Sequence, residues 1–220
     1  MAPIQAARPQ FDPTLNLVTD HGLCGERGLV ATAAAALAGG ITLLQYRAKE
    51  IPIRRALAEA IELVALARAH GVPMIVNDRL DLALAAEADG LHLGASDMPP
   101  AVARHLLGER RILGWSVTCA GDLAEVDPAV IDYVGLGPVF ATSTKPDAAP
   151  PLGLDGFRAL RGEIPVPVIG IGGIDIDRTL ALIAAGADGV AVISAICGED
   201  DPERAARRLR QTIEAARGER

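Results

Sequence analysis

Residues 73–97 read "PMIVNDRLDLALAAEADGLHLGASD". An apolar run ending in Asn77-Asp78 leads into Leu/Ala-rich text with helical spacing. That text ends on a glycine, and a second apolar run starts at once. Strand, helix and strand joined by short connections make the βαβ unit of a parallel sheet. The fold depends on whether this unit repeats.

It does. Apolar runs occur at 15–20, 41–49, 73–78, 90–95, 111–118, 132–140, 167–173 and 189–196, which is eight. Between them, "RRALAEAIELVALARAHG" (54–71), "DRTLALIAAGA" (177–187) and "DPERAARRLRQTIEAAR" (201–217) carry apolar residues at i, i+3 and i+4. Asp201-Pro202 has the form of an N-cap followed by proline at the first helical position. The strings "AGGI", "HGVP", "EADG" and "AGADGV" each place glycine between a helix and the next strand, where a left-handed backbone is needed. Eight such units predict a single α/β (β/α)8 TIM barrel over 15–220, with 1–14 as an entry segment. An open doubly wound sheet fits the same periodicity, but no G-x-G-x-x-G opens the first unit.

Composition narrows the function. The 220 residues are half hydrophobic, with net charge −7 and 3% aromatics. Without a basic tail or interleaved aromatic and basic residues, nucleic acid is not an expected partner. The longest apolar run, 29–44, is Ala-rich and broken by Gly39-Gly40, so no membrane span is expected. The N-terminal "MAPIQAARPQFDP" lacks the apolar core of a signal peptide. Cys24, Cys119 and Cys197 are far apart in sequence and form no CxxC. These features read as a cytoplasmic protein, and a homo-oligomer is compatible with them. Cations are distributed unevenly: nineteen arginines stand against two lysines, Lys49 and Lys145.

A barrel keeps its chemistry at the C-terminal ends of its strands. Gln45, Arg47 and Lys49, spaced by two, would point one way from an extended strand and suit an anion at the mouth. Asp78 and Asp97 follow consecutive strands, and two carboxylates beside cations suit Mg²⁺ with phosphate oxygens. Each aspartate also precedes helical text and could be an N-cap. "GIGGI" (170–174) before a helix suits a phosphate, and Ser194 ends the last run nearby. "VFATSTKP" (139–146) sets Thr142, Ser143, Thr144 and Lys145 after the sixth run. His92 between Leu91 and Leu93 reads as a satisfied interior group, and no Ser/His/Asp or cysteine nucleophile can be assembled. The residues alone indicate a barrel with two anion sites.

"LLQYRAKE", "IVNDRLDLALAAEADGLHLGASD", "GWSVT", "DYVGLGPVFATSTK", "VIGIGGI" and "AGADGVAVISAI" occur in the order found in thiamine-phosphate synthases, and the chain resembles that family. The resemblance implies a transferase that joins 4-amino-2-methyl-5-hydroxymethylpyrimidine diphosphate to a thiazole phosphate, releasing pyrophosphate with Mg²⁺. It implies that Gln45, Arg47, Lys49 and Asn77, in a segment including Tyr46 and Ala48, bind the pyrimidine diphosphate. It makes Asp78 and Asp97 metal ligands and Ser116 a pyrimidine contact. Thr142, Ser143 and Thr144 would hold the thiazole phosphate, Lys145 would face the diphosphate, and Gly173, Ile193 and Ser194 would complete the phosphate contacts. Arg47, Lys49, Ser116 and Lys145 would be the catalytic group. Members often carry "GQED" where this chain has "GASD". A related thiazole tautomerase, which has histidine at the Ser116 position, and a non-catalytic phosphate-metabolite sensor are the alternatives.

Overall fold

Every apolar run contains a strand shorter than the run itself. The computed structural model describes residues 10–142, 144 and 149–218. The strands are β1 (Leu15–Val18), β2 (Leu43–Tyr46), β3 (Met74–Asn77), β4 (Gly90–Leu93), β5 (Ile112–Val117), β6 (Tyr133–Leu136), β7 (Val168–Ile171) and β8 (Gly189–Val192). All neighbours pair in parallel, and Leu15 of β1 opposite Val190 of β8 closes the ladder into a barrel. The open-sheet alternative is thereby excluded.

Helices α1 (His21–Cys24) and α2 (Leu29–Ala38) follow β1, and α3 (Ile53–Ala69), α4 (Leu80–Ala85) and α5 (Pro100–Leu107) follow β2, β3 and β4. After β5 there is only a 3-10 segment, Ala120–Glu125, while α6 (Gly153–Arg161) and α7 (Ile176–Ala184) follow β6 and β7. The last run, read as strand through Ile196, turns after Val192 into α8 (Ser194–Cys197), and α9 (Pro202–Gly218) completes the ring. Asp201 caps α9 by accepting from the Arg204 N–H at 3.0 Å.

Side chains alternate across each strand. One set, including Leu17, Leu44, Tyr46, Val76, Leu91 and Val134, packs between sheet and helices. The other fills the barrel with Val18, Leu43, Ile75, Ile112, Tyr133, Ile169 and Ala191. Phe11, before β1, packs on this inner layer with its ring 5.3 Å from that of Tyr133. The described end of the entry segment is therefore docked.

The glycine punctuation holds at Gly40, Gly71 and Gly186, which have φ of 94°, 69° and 103°. At "EADG" it does not. Glu87 takes the left-handed position at φ 53°, and Gly90 is the first residue of β4, where a Cβ would run into the Ile112 carbonyl oxygen. This glycine serves close strand packing rather than a helix cap.

One ion pair anchors the fold below the mouth. Arg104 on α5 is buried and donates to Asp132 Oδ2 at 2.7 Å, to Val130 O at 2.8 Å and to Gly108 O and Arg111 O. Asp132 also accepts from the Leu113 N–H at 2.7 Å. Removing one member of a buried pair strands the other charge, so Asp132→Ala is expected to cost about 3–5 kcal/mol. Asp155→Ala, which breaks the exposed Arg158 pair, should cost less than about 1 kcal/mol. Urea denaturation measures both; equal losses would contradict the assignment.

Candidate active site

The C-terminal ends of the strands surround a cavity of about 440 Å³. Gln45, Arg47, Lys49, Asn77, Asp78, Asp97, Ser116, Thr142, Thr144, Gly173, Ile193 and Ser194 all line it. Ser143 and Lys145 lie outside the described residues. Tyr46 and Ala48 do not face the cavity. Alternation turns Tyr46 outward, where its hydroxyl donates to Glu59 Oε2 at 2.6 Å, and Ala48 packs on the outer core. Both could have been assigned to the other face from their odd spacing relative to Gln45 and Arg47. A shallower depression of about 670 Å³ lies at the opposite end of the barrel, lined by Arg68, Glu87, Asp89 and Arg110 among others, away from these groups.

β2 ends at Tyr46, so Arg47 and Lys49 lie just beyond it and reach the cavity from the loop. Arg47 is held from β1: its N–H donates to Thr19 Oγ1 at 3.0 Å, and Nη1 donates to Asp20 Oδ2 at 3.2 Å. Asp20 also caps α1 by accepting from the Leu23 N–H at 3.1 Å. The signal for this missed residue was an acid directly after the first run. Gln45 is 3% exposed, and its Nε2 has no partner among the described residues.

Neither aspartate is a helix cap. Asp78 sits at φ 64°, before Arg79 at the N-cap of α4, and Pro99 occupies that position for α5. The Asp78 N–H donates to His92 O at 2.8 Å. Asp97 closes its own turn, its Oδ2 accepting from the Gly94 N–H at 2.8 Å. The turn brings the two carboxyl groups into hydrogen-bond contact. Burial first, then the Asp97 charge and that hydrogen bond, push the Asp78 carboxyl from 3.8 up to about 6; Lys49 and Arg47 pull it back. Two adjoining carboxylates with cations beyond them form a donor set for a hard cation. No group of three or more His, Cys, Asp or Glu occurs among the described residues. Two carboxylates leave other positions for water and phosphate, which suits Mg²⁺ better than a caged metal.

The far side of the cavity is built from backbone. Gly172 and Gly173 have φ of 102° and 63°. A Cβ at 172 would come within 2.6 Å of Pro138, so only glycine lets this loop lie on the one after β6. The Val139 N–H donates to Ile171 O at 2.8 Å and the Phe140 N–H to Gly172 O at 3.1 Å, tying the loops together. Arg178 adds a clamp, donating to Gly173 O at 2.6 Å and lying 5.0 Å above the Phe140 ring. The start of α7 was expected to face an anion, but Asp175 occupies it, accepting from the Arg178 N–H at 2.9 Å. What borders the cavity here is the backbone of the glycine turn, Gly172 and Gly173.

His92 is a satisfied interior group, as its position suggested, and it also borders the cavity, linking Tyr133 to Ser116. Cys24 and Cys197, distant in sequence, are buried neighbours in space, and the Cys197 thiol lies 4.0 Å from Val18 O. Cys119 is exposed.

The raised Asp78 group has a stability consequence. A carboxyl whose pKa is higher in the folded chain stabilises the fold below its unfolded value and loses that contribution as pH rises through the folded one. The window here runs from 3.8 to about 6. Asp78→Asn removes the charge and keeps a residue that tolerates positive φ. It is expected to be more stable than the parent above pH 6, by on the order of 1 kcal/mol after solvent screening. The two should match near the bottom of the window. Thermal melts across this range check it; a variant less stable at neutral pH would contradict it.

A family model described as thiamine monophosphate synthase matches residues 15–196. The chain is 49% identical over 205 residues to the thiamine-phosphate synthase of Chloroflexus aurantiacus, covering 92% of this chain and 93% of that one. It is also 49% identical over 212 residues to the thiamine-phosphate synthase of Moorella thermoacetica, covering 96% and 99%. The structure matches a thiamine phosphate pyrophosphorylase from Pyrococcus furiosus with a TM-score of 0.84 at 36% identity, over 93% and 97% of the two chains. A 3-hexulose-6-phosphate synthase, with a TM-score of 0.63 at 19% identity over 90% and 99%, shares the fold alone. Matched over most of its length by sequence and by structure, the chain belongs to the thiamine monophosphate synthase family of transferases.

Proposed function

We propose that the chain joins 4-amino-2-methyl-5-hydroxymethylpyrimidine diphosphate to a thiazole phosphate, releasing thiamine phosphate and pyrophosphate. The carrying observation is one cavity with two unlike ends. Arg47 and Lys49 stand with Asp78 and Asp97 on the β2–β4 side, and Thr142, Thr144, Gly173 and Ser194 on the β6–β8 side. A diphosphate suits the first and a monophosphate the second, which sets two reactants face to face.

In this reading Asp78 and Asp97 would hold Mg²⁺, which would supply positive charge for the diphosphate. Arg47, fixed by Asp20, and Lys49 bind the diphosphate oxygens and stabilise the charge that grows as the C–O bond to the pyrimidine methylene breaks. Lys145, outside the described residues, is assigned the same task by the family resemblance, and Ser143 a place on the thiazole phosphate. Gln45, Asn77 and Ser116 hold the pyrimidine. Its amino-substituted ring donates electron density to the methylene carbon, so departure of the diphosphate can precede attack. The thiazole nitrogen then bonds to that carbon, held close by its phosphate at the glycine turn. No protein nucleophile takes part, in keeping with a cavity lined by anion binders. Half-buried Ile171 and buried Ile174 beside the turn limit access of water to the electrophilic carbon.

The test is direct. Purified protein with both substrates and Mg²⁺ should release pyrophosphate and form thiamine phosphate. No release would overturn the proposal, and isomerisation of a thiazole without release would favour a tautomerase. Lys49→Ala should lower kcat by roughly 10²–10³-fold with little change in the KM for thiazole phosphate. A KM effect as large as the kcat effect would place Lys49 at the wrong end of the cavity.

A further inference from the structure

Three side chains from adjoining strands form a chain that ends at the cavity. Tyr133 on β6 is 1% exposed, and its hydroxyl lies 2.8 Å from His92 Nδ1. His92 Nε2 lies 2.9 Å from Ser116 Oγ on β5, and Ser116 lines the cavity. Room for the imidazole is made by two glycines. His92 pairs in register with Gly114, and a Cβ there would collide with the imidazole Nδ1 and the Tyr133 ring. A Cβ at Gly135 would come 3.1 Å from His92 Cε1. The imidazole thus lies over two stretches of bare backbone, with its ring centroid 5.4 Å from that of Tyr133.

Proton counting gives this chain a direction. A phenol can donate one hydrogen and accept others. Burial pushes the Tyr133 phenol far above its ordinary range, so it keeps its proton. A buried O–H needs an acceptor, and His92 Nδ1 is the atom within reach. Nδ1 that accepts must be bare, which places the proton of neutral imidazole on Nε2. Nε2–H then donates to Ser116 Oγ. The Ser116 hydrogen is turned away from His92, toward the cavity.

We infer that Tyr133, acting through His92, is a positioning residue that holds the Ser116 hydroxyl as a hydrogen-bond donor into the cavity. Ser116 therefore selects a ligand atom that accepts. On an aminopyrimidine the acceptors are the ring nitrogens, while the exocyclic amino group, its lone pair drawn into the ring, is a donor. Ser116 reads a ring nitrogen and disfavours a ring that presents N–H at that point. This rests on the proposed pyrimidine reading; the polarity of the chain itself does not.

Two measurements separate these levels. The ¹⁵N spectrum of histidine-labelled protein, assigned with a His92→Gln control, reads the tautomer without any turnover. Nδ1 in the range of a bare nitrogen and Nε2 in that of N–H is expected; a proton on Nδ1 would overturn the inference. Kinetically, Tyr133→Phe keeps the ring and removes the proton. It should lower kcat/KM for the pyrimidine diphosphate roughly five- to tenfold, the effect of one hydrogen bond, and leave KM for thiazole phosphate unchanged. In a Ser116→Ala background the same change should cost less than about twofold. Equal losses in both backgrounds would show that Tyr133 serves only packing, and overturn the role. Wild-type protein with the expected tautomer but no pyrophosphate release would reject the function while leaving the chain polarity standing.

Discussion

Closing eight parallel strands gives each strand one face toward the helices and one toward the barrel axis, and the mouth depends on this two-sidedness. β2 shows the consequence most plainly. Tyr46 turns out to Glu59 and is absorbed by the helix layer, while Gln45 turns in and opens onto the cavity. Below the mouth the inward face is mostly apolar, with Phe11 packed against the cluster of Leu43, Ile75, Ile112 and Tyr133 and buried Asn16 as a polar exception. Above it the same face becomes polar at Gln45, Asn77, His92 and Ser116. A packed lower layer holds these polar groups in place, so the cavity is organised before a ligand arrives.

Charge then divides the mouth. Burial and the neighbouring Asp97 charge raise the Asp78 carboxyl, and Lys49 and Arg47 pull it back. Arg47 donates to Asp20, just past the end of β1, and cations and carboxylates stand side by side. The opposite rim has no such charge among the described residues. It offers backbone from a glycine turn braced by Arg178 and hydroxyls from Thr142 and Ser194. Under the proposed function, this arrangement would sort a metal-bound diphosphate from a monophosphate by charge alone, before any specific contact with a ring is considered.

The fold was legible because eight apolar runs alternated with helical text, and the residues just past each run defined the mouth. Spacing by two placed Gln45, Arg47 and Lys49 together although the strand stops at Tyr46. The same rule, applied to Tyr46 and Ala48, would have removed them from the cavity; the resemblance carried them in as neighbours. Contacts across the barrel left little trace in a single chain. Asp20 meets Arg47 at a separation of 27 residues and His92 meets Tyr133 at 41, distances at which no local pattern operates. The α7 N-terminus looked open because a glycine-rich turn precedes it, yet its cap, Asp175, stands two residues beyond Gly173 and competes with any anion there. Gly90, Gly114 and Gly135 were invisible as functional elements, since nothing in a sequence distinguishes a glycine that makes a turn from one that makes room.

The division of the mouth is the claim on which the mechanism rests, and a crystal structure with Mg²⁺ and pyrophosphate tests it most directly. The metal should lie between Asp78 and Asp97, at about 2.1 Å from a carboxylate oxygen, with the diphosphate against Arg47 and Lys49 and the glycine turn left to the other reactant. A diphosphate bound at Gly173 and Ser194, or a metal away from both aspartates, would contradict it.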